Sequence, residues 1–116
     1  MLITVLKSKI HRATLTATEL GYEGSIAIDK NLLDSAGIFP GEQVHVLNIS
    51  NGSRLITYAI LAAPGSGTVM LNGPAAREGY VGDKVVIISY CHIDRNEISS
   101  HVPTIIKIGD NNQPIK

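Results

Sequence analysis

Short apolar segments alternate with turn-forming residues along most of the chain. Residues 1–6 are apolar and rich in β-branched side chains. From residue 9 onward, a looser alternation places apolar side chains at Ile10, Ala13, Leu15 and Ala17. Six later segments have a similar apolar or alternating character: 25–28, 43–49, 54–60, 68–71, 85–90 and 102–108. This pattern is typical of the strands of a small barrel or sandwich. We therefore predict a mainly β fold, in the form of a closed barrel.

Helical signals are few and short. Asp29 has the character of an N-cap for a helix over residues 30–36, and Gly37 follows as the residue that ends it. A second helical turn is predicted with Pro74 at its first position and Gly79 at its end. These one or two short helices are too few to connect parallel strands in an α/β fold.

The clearest local prediction is a β-hairpin. Segments 43–49 and 54–60 flank Asn51-Gly52, a pair that can adopt the positive φ angles of a type I′ turn. The C-terminal residues 109–116 are polar and are predicted to form a tail.

Composition narrows the class of protein. Hydrophobic side chains make up 44% of the 116 residues, which excludes intrinsic disorder. Ten basic residues balance ten acidic ones, and this neutral charge argues against binding to nucleic acid or to a membrane through a polybasic surface. The single cysteine, Cys91, excludes an internal disulfide, and the four histidines lack metal-ligand spacing, so no metal is expected. No apolar run approaches the length of a membrane span. We expect one soluble domain, residues 1–116, in the reducing cytoplasm.

Two groups of polar side chains have more than one interpretation. An extended backbone would place Lys7, Lys9 and His11 on one face, either as a solvated barrel rim or as an anion-binding patch. The same alternation places Arg54 and Tyr58 together, where Arg could clamp a carboxylate and Tyr could donate a proton. Both are also ordinary outward-facing strand residues.

Five sequence strings carry a resemblance to a known family. They are KIHRAT at 9–14, YEGS at 22–25, NGSR with TY at 51–58, NGPAA at 72–76 and VGD at 81–83. In this order and spacing they resemble the pyruvoyl-dependent aspartate 1-decarboxylases, and the match reaches about residue 90. The resemblance implies a six-stranded double-psi β-barrel, a homotetramer, and an active site where two subunits meet.

The resemblance further implies a zymogen that cuts itself between Gly24 and Ser25, giving a small chain, 1–24, and a large chain, 25–116. Ser25 would become a covalent pyruvoyl cofactor, with neither pyridoxal phosphate nor metal. The ketone would form a Schiff base with L-aspartate and yield CO2 and β-alanine, a precursor of pantothenate and coenzyme A. We expect glycine at position 24 because it tolerates strained backbone and lets the hydroxyl approach.

The resemblance also implies roles for individual residues. Ser25 and Tyr58 would be catalytic, with Tyr58 as the proton donor. The self-cleavage residues would be Gly24, Ser25, Thr57 and Asn72. Substrate contacts would come from Lys9, Arg54, Thr57, Gly73, Pro74 and Ala75. Strict alternation would place Thr57 on the face opposite Arg54 and Tyr58.

Departures and alternatives remain at this point. Pro74 lacks an N–H group for substrate, and Leu47 stands where an aromatic residue is sometimes found in the family. The chain could instead be an uncleaved, non-catalytic β-barrel binding module, or a pyruvoyl decarboxylase of another small amino acid. The residues do not indicate whether a maturation factor assists the cut.

Overall fold

A computed structural model describes residues 1–115 as eight strands, one α-helix and three short 3₁₀ turns. The strands are β1 (Leu2–Thr14), β2 (Ala17–Glu19), β3 (Ser25–Asp29), β4 (Gln43–Asn48), β5 (Arg54–Ala62), β6 (Val69–Asn72), β7 (Lys84–Asp94) and β8 (Thr104–Lys107). The helix is α1 (Lys30–Ala36), and the 3₁₀ turns span Gly73–Glu78, Arg95–Ser100 and Asp110–Asn112. The fold is mainly β, as predicted.

The strands close into a barrel through the continuous path of β1 and β2. Their order is β2-β6-β3-β5-β4-β7-β1-β8, so β1 pairs with β7 while β2 pairs with β6. Between them, Leu15 and Thr16 donate backbone hydrogen bonds of 2.9 Å to Asp83 and Val69. With β1 and β2 counted as one strand, six strands form the barrel and β8 adds outside, parallel to β1. This arrangement confirms the predicted six-stranded barrel and fits the double-psi fold.

Aliphatic side chains fill the interior. The largest fully buried residues of the strands, with Leu15 between β1 and β2, are Ile10, Leu15, Ile26, Ile28, Val44, Val46, Val69, Leu71, Val85 and Ile87. Burying each of these side chains contributes about 1.5–3 kcal/mol. They give β3, β5 and β6 a fixed frame, and these strands meet at the site described below.

Helix α1 is closed at both ends as predicted. The Asp29 carboxylate accepts a hydrogen bond from the Asn31 N–H, and Gly37 adopts the left-handed conformation with φ of 68°. The helix buries Leu32, Leu33 and Ala36. None of the helices among residues 1–115 combines the length and apolar character needed to cross a membrane.

Three local predictions need correction. The apolar residues 1–6 and the alternating segment that begins at residue 9 are not separate: both belong to β1, whose register with β7 shifts at Lys7 and Arg12. The hairpin turn is not type I′, because Gly52 has φ of 76° but Asn51 is not left-handed. The tail is not merely polar and exposed, since Asn112 is buried and bonds to the backbone of Thr14 and Gly67. Lys116, the last residue of the predicted tail, lies outside the described residues.

Asp29 is a fully buried carboxylate that ties three segments together. Its two oxygens accept hydrogen bonds of 2.8–3.0 Å from the N–H groups of Asn31, Gly65 and Gly67 and from the Gln113 side chain. Burial alone raises the pKa of Asp29, but these hydrogen bonds outweigh it and hold the pKa below its ordinary value. The carboxylate therefore anchors one end of β3 in its charged form.

We expect Asp29→Asn to lower the free energy of unfolding by about 2–4 kcal/mol at neutral pH, because the amide NH2 group would face two of these four donors and cannot accept their hydrogen bonds. A carboxylate with a lowered folded-state pKa stabilises the fold above its unfolded-state pKa, and this stabilisation disappears as pH falls through the folded-state pKa. The parent should therefore lose stability below about pH 4, and the variant should lack this part of the loss. Urea unfolding at several pH values measures both effects.

Asp34→Asn is the matched control for this measurement. Asp34 lies on α1, the helix that Asp29 caps, is exposed, and pairs with Lys30 at 2.6 Å. An exposed pair of this kind contributes less than about 1 kcal/mol. Equal unfolding midpoints for the two variants would contradict the role given to Asp29.

Candidate active site

Ser25 is the first residue of β3, and it is buried. Antiparallel pairing sets it opposite Asn72, the last residue of β6, and Asn72 Nδ2 donates a hydrogen bond of 3.0 Å to Ser25 Oγ. Asn72 Oδ1 is also buried and has no hydrogen-bond partner among residues 1–115. Such an unsatisfied buried atom is uncommon in folded proteins and needs an explanation. The arrangement fixes the Ser25 hydroxyl next to the peptide bond that joins it to Gly24.

A cleft of about 440 Å³ lies beside this peptide bond. Parallel pairing sets Ile26 opposite Ala59, so β3 begins where Tyr58 and the preceding residues of β5 pass. The lining residues are Gly24, Leu55, Ile56, Thr57, Tyr58, Pro74, Ala75 and Glu78. Three segments that are distant in sequence, around residues 24, 57 and 74, therefore meet in one cavity.

The cleft runs along the edge of β5, which explains how it reaches both faces of that strand. Thr57 pairs with the buried Val44 and is half-buried, whereas Tyr58 is 40% exposed. Alternation separates these two side chains, as the sequence predicts, yet both line the cleft. β3 pairs with β5 only from about Ala59 onward, so the edge before this point is open.

The strained backbone predicted for Gly24 is absent from the structure. Gly24 is not in the left-handed region, so its backbone needs no glycine. A Cβ atom at this position would meet Pro74 Cδ at 3.6 Å, which is an ordinary contact. The conformational requirement lies elsewhere in the site.

Lys9 and Arg54 do not join the other predicted residues within one chain. Arg54 Nη1 lies 3.2 Å from His45 Nδ1 on the neighbouring strand β4. Lys9 lies on β1 opposite Ile88 of β7, and β4 separates β7 from β5. Neither side chain lines the cleft that holds Gly24 and Tyr58.

Lys7, the first cation of the 7–11 segment, is paired with a carboxylate. Its Nζ lies 2.8 and 3.0 Å from the two oxygens of Glu42. Burial alone raises the pKa of Glu42. The hydrogen bonds that Glu42 accepts from Lys7 and from the Phe39 N–H outweigh this effect and hold the pKa below its ordinary value. Lys7, one of the three cationic side chains considered for an anion-binding patch, is therefore already paired with Glu42.

Glu78 is a cleft residue that the sequence did not identify. It ends the 3₁₀ turn that begins at Gly73, and its carbonyl oxygen accepts hydrogen bonds from Asn48 Nδ2 and Asn51 Nδ2 at 3.1 and 3.0 Å. These bonds hold the turn against the β4–β5 loop. The only sequence signal was its place one helical turn after Pro74. Within residues 1–115, no group of three or more histidine, cysteine or acidic side chains is arranged to hold a metal ion.

Comparison with known proteins identifies the family of this chain. The family model described as aspartate decarboxylase matches residues 1–115. A protein named aspartate 1-decarboxylase from Caldicellulosiruptor saccharolyticus is 53% identical over 116 residues, which cover all of this chain and 91% of the relative. Proteins of the same name from Leptospira biflexa and Caulobacter vibrioides are 49% and 50% identical, covering 100% and 97% of this chain and 99% and 95% of the relatives. The matches extend over the whole barrel and both sides of the cleft, and the chain belongs to the aspartate decarboxylase family.

Proposed function

We propose that this chain is a self-processing aspartate 1-decarboxylase that converts L-aspartate to β-alanine and CO2. The observation that carries the proposal is the buried Ser25 hydroxyl, which Asn72 holds next to Gly24, while Gly24 lines a cleft together with Thr57 and Tyr58. A barrel without chemistry has no need for this combination. Membership of the family supports the same substrate and reaction.

Self-cleavage begins at the Ser25 hydroxyl. Its oxygen attacks the carbonyl carbon of Gly24, the C–N bond breaks, and the chain becomes an ester with a free amine on residue 25. Loss of the α-proton of residue 25 expels the Gly24 carboxylate and leaves dehydroalanine. Water then replaces nitrogen, ammonia leaves, and the new terminus of residues 25–116 is a ketone. A Thr57 hydroxyl donor at the cleft suits the oxyanion formed at Gly24 in the first step.

The site residues fit a pyruvoyl group at position 25. The position is enclosed, with only 3% of Ser25 exposed, and Asn72 presents an amide whose carbonyl oxygen has no partner among residues 1–115. Asn72 and the start of β3 would hold the group at the edge of the cleft. There it supplies an electrophilic ketone that takes up the substrate amine and accepts the electrons released with CO2.

The remaining cleft residues orient substrate and move a proton. Thr57 and the backbone of Gly73 and Ala75 bind the substrate, while Pro74 shapes the wall without donating a hydrogen bond. Tyr58 lines the cleft and is 40% exposed, and its phenol gives a proton to the substrate carbon after CO2 leaves.

Lys9 and Arg54 bind the substrate carboxylates from a neighbouring subunit. They lie outside the cleft of their own chain, on the strands β1 and β5. Ile56 and Tyr58, on the same face of β5 as Arg54, are 58% and 40% exposed, and adjoining exposed apolar side chains of this kind favour coverage by another copy. We therefore propose a homotetramer with shared sites.

We place the enzyme in the cytoplasm, because a lone, half-buried Cys91 suits a reducing compartment.

The test of this function is a denaturing intact mass combined with an activity assay. We expect two fragments split between residues 24 and 25, the larger one lighter by one ammonia than a free serine terminus requires. The same preparation should form β-alanine from L-aspartate without added pyridoxal phosphate, and should act poorly on L-alanine or L-glutamate. An uncut chain that stays uncut on prolonged warming, with no β-alanine formed, would refute the proposal.

A further inference from the structure

Gly73 makes the closest backbone approach in the site. It is buried and left-handed, with φ of 63°, and it joins β6 to the 3₁₀ turn. A Cβ atom on residue 73 would lie 2.7 Å from both Gly24 N and Tyr22 O, and 2.9 Å from Gly24 Cα. All three atoms belong to the backbone, so no side-chain rotation can relieve the contact. Only glycine allows residues 22–24 to lie where they do.

We propose that Gly73 is a positioning residue for self-cleavage, because its bare α-carbon lets the backbone of residues 22–24 present the Gly24 carbonyl to Ser25 Oγ. The inference rests on the proposed self-processing function and adds to it the glycine requirement that Gly24 itself does not have. This positioning role is distinct from the substrate contact assigned to Gly73, because self-cleavage takes place before any substrate can react.

The end of strand β6 controls both reacting groups. Asn72 holds the Ser25 hydroxyl through its side chain, and the next residue, Gly73, sets the backbone that carries the Gly24 carbonyl. A Cβ on residue 73 would push residues 22–24 away by about 0.7 Å to reach ordinary contact, while β3 pairing would keep Ser25 in place. Misplacement of reacting atoms by about 1 Å can slow a reaction by about 10²-fold.

The first experiment compares Gly73→Ala with Gly37→Ala by pulse-labelled cell-free translation, following conversion of the full chain into its two fragments. Gly37 has nearly the same φ, 68°, but a Cβ there meets nothing within 4 Å. The control therefore carries the same backbone strain without the contact. We expect cleavage slowed by about 10²-fold in Gly73→Ala and a near-parental rate in Gly37→Ala. Similar cleavage rates in the two variants would overturn the proposal.

Hydroxylamine gives a readout that general destabilisation would not change. At neutral pH it cuts esters and leaves ordinary amides intact, so a cut after residue 24, identified by fragment mass, occurs only after the acyl shift. The Asn-Gly bonds at 51–52 and 72–73, which hydroxylamine can also attack, would give fragments of other masses. If Gly73 positions the first step, hydroxylamine should fail to restore cleavage of folded Gly73→Ala. Rapid cutting by hydroxylamine would show that the ester forms normally and would contradict the inference.

Gly24→Ala keeps the inference testable even if Gly73→Ala does not fold, because it leaves residue 73 unchanged. Its Cβ has room beside Pro74, so we expect cleavage slowed by no more than about tenfold, far less than a misplaced carbonyl would cause. Loss of cleavage in a folded Gly24→Ala would show that glycine is required at position 24 itself, and this result would overturn the proposal. A parent chain that never cuts would refute the proposed function itself, which separates the two failures.

Discussion

Replacing Ser25 with alanine is expected to leave a folded, uncut chain that releases no CO2 from L-aspartate. The substitution removes the oxygen that attacks Gly24, and without that step no ketone can form. Asn72 Nδ2 loses its partner, so the cost to stability should be about 1–3 kcal/mol. The barrel core is untouched. Intact mass, circular dichroism and a CO2 assay on one preparation measure all three consequences.

Ser89→Ala is the matched control for Ser25→Ala. Ser89 is fully buried on β7, away from the cleft, so the same chemical change is made in a similarly enclosed place. This variant should cut itself and decarboxylate normally. Measurable turnover by Ser25→Ala, above the level of a blank, would show that the activity does not depend on a pyruvoyl group at residue 25.

The parts of the fold that the sequence predicted well depend on short-range signals. The Asp29 cap and the Gly37 terminus of α1 concern neighbours within one helix, and the structure confirms both. The bulges at Lys7 and Arg12 depend instead on the register between β1 and β7, which lie far apart in the sequence. Arg12 adopts φ of 67° for the same reason, without any local signal that announces it.

The candidate site shows the same division. Spacing alone could not bring Ser25, Tyr58 and Asn72 together, because their proximity comes from the pairing of β3 with β5 and with β6. The family resemblance supplied what periodicity could not. It did not identify which glycine is sterically required, because nothing in the sequence around Gly24 or Gly73 distinguishes one from the other. Only the close approach of two backbone segments distinguishes them.

Tyr58→Phe is expected to separate the two reactions of this chain. Ser25 and Asn72 remain unchanged, so self-cleavage and formation of the ketone should proceed normally. Turnover should fall by about 10²–10⁴-fold, the usual contribution of a positioned proton donor. The loss of one hydroxyl at a side chain that is 40% exposed should have little effect on stability. Intact mass establishes the cut, and rates of β-alanine formation establish the defect.

Tyr90→Phe provides the comparison, because Tyr90 is 38% exposed and also lies on an outer face of the barrel. Its ring packs edge-on against His45, with centroids 5.0 Å apart, and this contact survives loss of the hydroxyl. A proton donor acts after substrate binds, so the defect of Tyr58→Phe should lie in kcat and leave KM nearly unchanged. Parental kcat in fully cleaved Tyr58→Phe would remove the phenol from the proton transfer. A rise in KM alone would make Tyr58 a binding residue, and the proton would then have to come from water in the open cleft.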